Sequence, residues 1–266
     1  MEGTPPMEYI VICFSALLAS SLTFFSGFGL GTILTPILAV FFPIQIAISV
    51  TALVHLSNNL FKLFLVGNHA NKKVTVQFAI PAVIAAVFGA SLLSYVSVFP
   101  VIGSYFVGGS LKEITVIKMV IGSIIIIFSC LELLPNFEKF AVTQKYISIG
   151  GALSGFFGGL SGNQGALRSM FLMKAGLSKE SFVATSVVLA VLIDLARLFV
   201  YGIGFYRVSV SQVLENWGLI LAATISAFIG SLLGRELLKR ITLRAVQISV
   251  AIMLVVLGIA LIFGLV

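Results

Sequence analysis

Apolar residues run along this chain in ten stretches: 9–25, 32–42, 46–66, 74–96, 116–134, 146–160, 166–173, 182–201, 217–233 and 245–265. A helix that crosses a bilayer needs roughly 20 mostly apolar residues. Six stretches approach that length, whereas the first, second, sixth and seventh fall short. The short ones form two adjacent pairs at the same place in each half of the chain. The pattern predicts an all-α, polytopic helical membrane protein made of two repeats of five elements, 1–140 and 141–266. Each repeat contains a broken or re-entrant pair of half-helices.

Polar positions support the repeat. An offset of 135 residues carries Ser26-Gly27 onto Ser161-Gly162, Gly31 onto Ala166, Thr51 onto Ser186, Asn59 onto Asp194, Lys62 onto Arg197 and Gly67 onto Gly202. Apolar positions match by chance, so the weight rests on the Ser-Gly, Asn/Asp and Lys/Arg pairs. The polar string GGLSGNQGALRS, 158–169, places glycines, two amides and an arginine in an apolar neighbourhood. Irregular backbone at membrane depth survives only when buried in protein or facing a watered cavity, and transporters bind substrates at such breaks. The alternative is a water-exposed loop between two ordinary helices. An arginine so placed is costly unless it is used, which favours the break.

Composition sharpens the class. Hydrophobic residues make up 59% and charged residues 9% of the chain, with a mean hydropathy of +1.18, whereas soluble domains are about a quarter charged. Residues 1–8 carry Glu2 and Glu8 and no base, so the first apolar stretch reads as a retained segment rather than a cleaved signal. Cys13 and Cys130 stand alone, without CxxC spacing or a nearby histidine, and imply neither metal nor disulfide nor cofactor. The net charge of +7 is scattered between the membrane segments, which argues against nucleic acid and for topology signals. Lys72, Lys73, Lys139, Lys145, Lys174, Lys179, Arg235, Lys239, Arg240 and Arg244 fall on one side if each short pair crosses twice or not at all. Lys112, Lys118 and Arg207 fall on the other. This bias makes the first side cytoplasmic and both termini external. The third segment then runs inward and the eighth outward, so the halves are inverted.

The two breaks, Ser26–Gly31 and Ser161–Gly165, would meet near the midplane. Each leads directly into a helix, whose first turn presents unpaired N–H groups and about half a positive charge to an anion. The glycines Gly27, Gly29, Gly31, Gly162 and Gly165 let backbone approach a ligand closely. Ser26, Thr32 and Ser161 add hydroxyls, Asn163 and Gln164 add amides, and Arg168 adds a planar cation suited to oxyanions. Gly150, Gly151, Gly155, Gly158 and Gly159 read instead as close helix packing. On the third segment His55, Asn58, Asn59 and Lys62 share one helical stripe, as Asp194 and Arg197 do on the eighth. Asn58 and Asn59 are candidate substrate ligands. His55, Lys62, Asp194 and Arg197 are candidates for gating or coupling, with Asp194 pairing with Arg197, Lys62 or both. Lys62 and Arg197 also lie within a turn or so of their helix ends, where they could snorkel. His55 and Asp194 are the candidate proton carriers, although a lone membrane histidine is more often structural. His69 reads as solvated. Lys62, Arg168 and Arg197 against Asp194 leave a charge of about +2, which lipid does not tolerate without an anionic guest or solvent.

The strings SGFGLGTILTP, from Ser26 through Gly27, Phe28 and Gly29 to Pro36, and GFFGGLSGNQGALRSMFL, from Gly155 to Leu172, resemble the paired glycine-rich signatures of the TauE/SafE sulfite exporter family. The likeness spans nearly the whole chain, and its second string is the more distinctive. The resemblance implies a bacterial inner-membrane carrier that exports sulfite, sulfoacetate or a related sulfur-containing or organic anion, with Phe28 among the residues of the first signature. Phe171 stands where the first copy has Pro36, which breaks the symmetry there. The expected function is transport of a small oxyanion by alternating access. Its partners are the anion and the lipid bilayer, with proton or ion coupling and a homodimer both open. An anion or water channel through the same centre is the alternative. An enzyme is disfavoured because no Ser/His/Asp set, HExxH motif or metal cluster is present.

Overall fold

A computed structural model describes residues 6–26, 30–133, 142–204, 215–237 and 243–266. Among the described residues ten α-helices carry the ten apolar stretches: α1 Pro6–Ser26, α2 Leu30–Ala39, α3 Ile44–Val66, α4 Lys72–Val96, α5 Val116–Leu133, α6 Ile147–Ser161, α7 Gly165–Leu172, α8 Lys179–Gly204, α9 Trp217–Leu237 and α10 Leu243–Ile262. Among the described residues four helices, α3, α4, α8 and α9, are long and apolar enough to cross a membrane.

An antiparallel hairpin, β1 Val101–Val107 with β2 Ser110–Thr115, joins α4 to α5 and adds to the all-helical reading. Its turn is Gly108-Gly109, at φ 58° and 80°, the left-handed backbone that closes a two-residue hairpin loop. It is tied to the C-terminus of the chain, where Tyr105 Oη donates to Phe263 O at 2.6 Å and Lys112 Nζ to Leu265 O at 2.9 Å.

Helix pairs meet along glycine seams, since small residues let membrane helices approach backbone to backbone. On α6, a Cβ at Gly151, Gly155 or Gly159 would overlap the carbonyl oxygens of Phe78, Ala82 and Ala86 on α4. On α9, a Cβ at Gly230 or Gly234 would strike those of Leu17 and Ser21 on α1. Gly122 and Gly258 make a third seam between α5 and α10. Gly150 and Gly158 likewise leave room for Phe171 and for Ile193 and Gln164. All five glycines assigned to packing from the sequence serve that purpose.

The short helices lie inside. Every residue of α2 except Ile37 is buried, and α2 sits in one apolar core with Leu30, Leu34, Leu38, Ile48, Ile121 and Leu254. The α7 residues Phe171 and Leu172 belong to a second core with Val74, Phe78, Leu189 and Ile193. A ten-residue helix buried on nearly all sides cannot be a surface loop element, so α2 is internal.

Candidate functional site

The second break is three residues long, Gly162-Asn163-Gln164, between α6 and α7. Gly162 ends α6 in the left-handed region at φ 82°, a conformation that glycine adopts without steric penalty. A side chain there would also meet Arg197 Nη1 at 2.6 Å. The break is pinned by Ser154 Oγ donating to Gln164 O at 2.9 Å and by Gln164 N donating to Gly162 O at 3.1 Å. Ser161 is used locally, donating to Phe157 O at 3.0 Å and accepting from Asn163 N at 3.4 Å.

The start of α2 lies beside it. Ser26 ends α1 and Leu30 begins α2, while Gly27, Phe28 and Gly29 lie outside the described residues. A Cβ on Gly31 would stand 3.5 Å from Gly162 O, 3.5 Å from Thr51 Cγ2 and 4.0 Å from His55 Cδ2. The start of α2, the break after α6 and the stripe on α3 are therefore neighbours. Thr32 is buried there too.

At the centre is Asp194, 0% exposed on α8. Its Oδ1 pairs with Arg197 Nη2 at 2.8 Å and accepts from Gln164 Nε2 at 3.1 Å. Its Oδ2 lies 2.6 Å from His55 Nδ1. Asn59 Nδ2 lies 3.0 Å from the same His55 Nδ1 and donates to Oδ2 at 3.4 Å. Gln164 Oε1 in turn accepts from Arg168 Nη1 at 3.0 Å. Asp194 is thus linked to Arg168 through one amide. Of the two partners weighed for Asp194 from the sequence, the geometry brings Arg197 and not Lys62, and it adds His55.

Lys62 has a different neighbour. With the Asn58 amide oriented to satisfy its surroundings, the amide oxygen accepts from Lys62 Nζ at 3.3 Å and the nitrogen donates to Ser231 Oγ at 2.8 Å. Ser20 Oγ lies 2.7 Å from Ser231 Oγ. This buried cluster binds α1, α3 and α9 together, and it engages Asn58 internally. Neither Lys62 nor Arg197 snorkels, for both are buried at their helix ends. Ser20 and Ser231 carried no signal in the sequence, because only the packing of α1 on α9 makes them a pair.

Some buried polar atoms find no partner among the described residues: both side-chain atoms of Asn163, Nε of Arg168, and the hydroxyls of Ser169, Thr51 and Ser186, with Thr75 and Ser129 on α4 and α5. A buried polar atom without a partner costs about 1–3 kcal/mol, and five of these residues lie on the second break, on α7 or on the α3 and α8 stripes. Thr51 and Ser186 were repeat mates in the sequence yet went unassigned. Their spacing of 11 residues from Lys62 and Arg197, three helical turns, was the signal that could have drawn them in.

Among the described residues, apolar helices folded around charges buried on α3, α7 and α8 define a multi-pass membrane protein. The chain belongs to the family described as Sulfite exporter TauE/SafE, whose model matches residues 12–261. Membership implies a membrane exporter of sulfite or a related small anion, working within a lipid bilayer. No curated protein and no solved structure gave a match.

Proposed function

We propose that this chain is a secondary transporter of the bacterial inner membrane that exports a small sulfur-containing or organic anion, such as sulfite or sulfoacetate, by alternating access between inverted halves, 1–140 and 141–266. The observation that carries the reading is the buried cation beside the second break: Arg168 is buried on α7 with its Nε unpartnered, and both side-chain atoms of Asn163 in the break are unpartnered too, a charge and hydrogen-bonding capacity that an anionic substrate would meet. Arg168 and the start of α7 act on one site, because Arg168 lies on that helix's first turn and the N–H groups there have no intrahelical partner. Asn163 completes the hydrogen bonds, while Gln164 and Asn59 hold Asp194. His55, Asp194 and Arg197 form the gating or coupling group.

The boundaries of the elements support the repeat. At the offset of 135, the end of α1 falls on the end of α6, the start of α2 on the start of α7, and the start of α3 on the start of α8. Swapping halves also exchanges the two most extensive helix pairs, α4 on α6 and α1 on α9, while α3 on α8 and α5 on α10 map onto themselves. The offset lapses after α8, where 205–216 is longer than the connection from α3 to α4.

Counterflow in proteoliposomes tests the reading. Vesicles loaded with unlabelled sulfite should accumulate labelled sulfite transiently and saturably. Arg168→Ala should weaken the apparent affinity by about ten- to a hundredfold, since a charge-assisted hydrogen bond contributes about 1.5–3 kcal/mol. Arg168→Lys, which keeps the charge and loses the fork, should be intermediate. Flux that rises linearly with concentration would mark a channel instead.

A further inference from the structure

The helices α4 and α6 run parallel, because Gly151, Gly155 and Gly159 meet the carbonyls of Phe78, Ala82 and Ala86 in ascending order. Both therefore start at one end of the molecule. A cleft of about 390 Å³ opens there, lined by Lys73 and Gln77 on the first two turns of α4, by Gln144 and Lys145 in the short turn Gln144–Tyr146 that leads into α6, and by Ile147 and Ser148 at the start of α6 itself. Ser148 Oγ donates to Gln77 O at 3.3 Å and ties the two walls together.

Charge and depth narrow the occupant. Among the described residues no carboxylate lines the cleft and neither lysine forms an ion pair, while Lys145 Nζ lies over the Tyr146 ring, 5.8 Å from its centre. Lys73, Gln77, Gln144 and Lys145 are all exposed, so two cations and two amides stand open to an anion. Farther along, the same helix faces turn apolar. Ile84 and Phe88, two and three turns beyond Gln77 on α4, are exposed, and Ala152 and Phe156, one and two turns beyond Ser148 on α6, are partly exposed. Because α4 is long and apolar enough to cross a membrane, its exposed apolar residues meet acyl chains. A basic, polar mouth thus opens onto an apolar groove between the same two helices.

We propose that this cleft binds the phosphate of an anionic phospholipid, with Lys73 and Lys145 facing its charge, the amides of Gln77 and Gln144 donating to its oxygens, and an acyl chain lying along the groove between α4 and α6. Basic residues at the membrane surface attract anionic headgroups, and basic pockets between helices hold them. A soluble anion would use the mouth and leave the groove idle. The lysines belong to connections that the Lys and Arg bias assigns to the cytoplasm, so the lipid is one of the inner leaflet. The site lies apart from Asp194 and stands whichever anion the chain carries.

Native mass spectrometry of the detergent-purified full chain tests this, with phosphatidylglycerol and phosphatidylcholine of equal chain length as probes and inorganic phosphate as competitor. The wild type should hold one phosphatidylglycerol about tenfold more tightly than phosphatidylcholine, since two lysines face the headgroup. The double variant Lys73→Gln/Lys145→Gln should lose most of that preference. Lys174→Gln/Lys179→Gln, which removes as much charge from connections assigned to the same face but outside the cleft, should keep it to within about twofold. Ser148→Phe fills the cleft and leaves both lysines in place, and it should weaken phosphatidylglycerol about as much as their loss does. Without lipid, both lysine variants should melt as the wild type does, because exposed substitutions of this kind change stability little. The proposal is overturned if the wild type does not discriminate between the two lipids, if the control pair loses as much as the cleft pair, or if Ser148→Phe binds as the wild type does. Displacement of the lipid by millimolar inorganic phosphate overturns it as well, and marks a site for soluble anions.

Discussion

Asp194 organises the centre because four groups from three parts of the chain converge on its two oxygens: Arg197 on its own helix, His55 and Asn59 on α3, and Gln164 at the break. Burying a carboxylate without partners would cost several kcal/mol, and removing one member of a buried pair strands the other at about 3–5 kcal/mol. Asp194→Asn should therefore lower the melting temperature and the yield of monodisperse protein. Adding Arg197→Met removes the stranded cation and should restore part of the loss. Lys62→Met in the same background should restore little, because Lys62 reaches the Asn58 oxygen rather than Asp194. Equal rescue by both second changes would place Lys62 in the Asp194 network. Ser161 and Gln164 show a related point. Their polar atoms are engaged in hydrogen bonds within the break and to Asp194 and Arg168.

At the scale of the helix, the glycine seams fix the spacing on which the breaks depend. The seam of α6 on α4 continues directly into Ser161 and Gly162, so any displacement of α6 is passed to the break. Gly155→Val puts a branched side chain against the Ala82 carbonyl, a backbone atom that cannot rotate away. Overpacking of this kind costs typically 1–3 kcal/mol, and more where backbone must shift. Detergent-solubilised Gly155→Val should melt well below the wild type, or fail to accumulate as monodisperse protein. Gly202→Ala on α8 is the control. A Cβ at Gly202 meets nothing within 4 Å, so the change should be neutral or stabilising by up to about 1 kcal/mol, as alanine is the better helix former. Comparable loss in both would mean that the seam is not tightly packed.

For the whole molecule, the testable property is orientation. The excess of Lys and Arg on one set of connections predicts the turn Gly67–His69 and the start of α4 in the cytoplasm and the β1–β2 hairpin outside. In a background without Cys13 and Cys130, a cysteine at Ser104 on β1 should react with an impermeant reagent added outside intact cells, and one at Ala70 should not. Reaction at Ala70 alone would invert the topology and turn export into uptake for the same mechanism. The hairpin suits the labelling because its Ser104 pairs with Glu113 in the ladder at the end of the molecule, away from the buried charges.

The sequence by itself determined the helices and the identity of the polar residues. These follow from the period and length of apolar runs and from the high cost of a charge or irregular backbone in lipid, which are properties of local sequence. It also carried a hairpin signal in Gly108-Gly109, which stood among so much apolar sequence that helical elements took precedence. Partners were decided only by the tertiary structure. Whether Asp194 met Arg197, Lys62 or His55 depended on how α3 crosses α8, and the pairing of Ser20 with Ser231 depended on α1 packing against α9. Hydrogen bonds fall off within a few tenths of an ångström, whereas a helical stripe fixes direction only to within a turn. The sequence could therefore gather the residues on the right faces, and close packing along the glycine seams chose which of them touch.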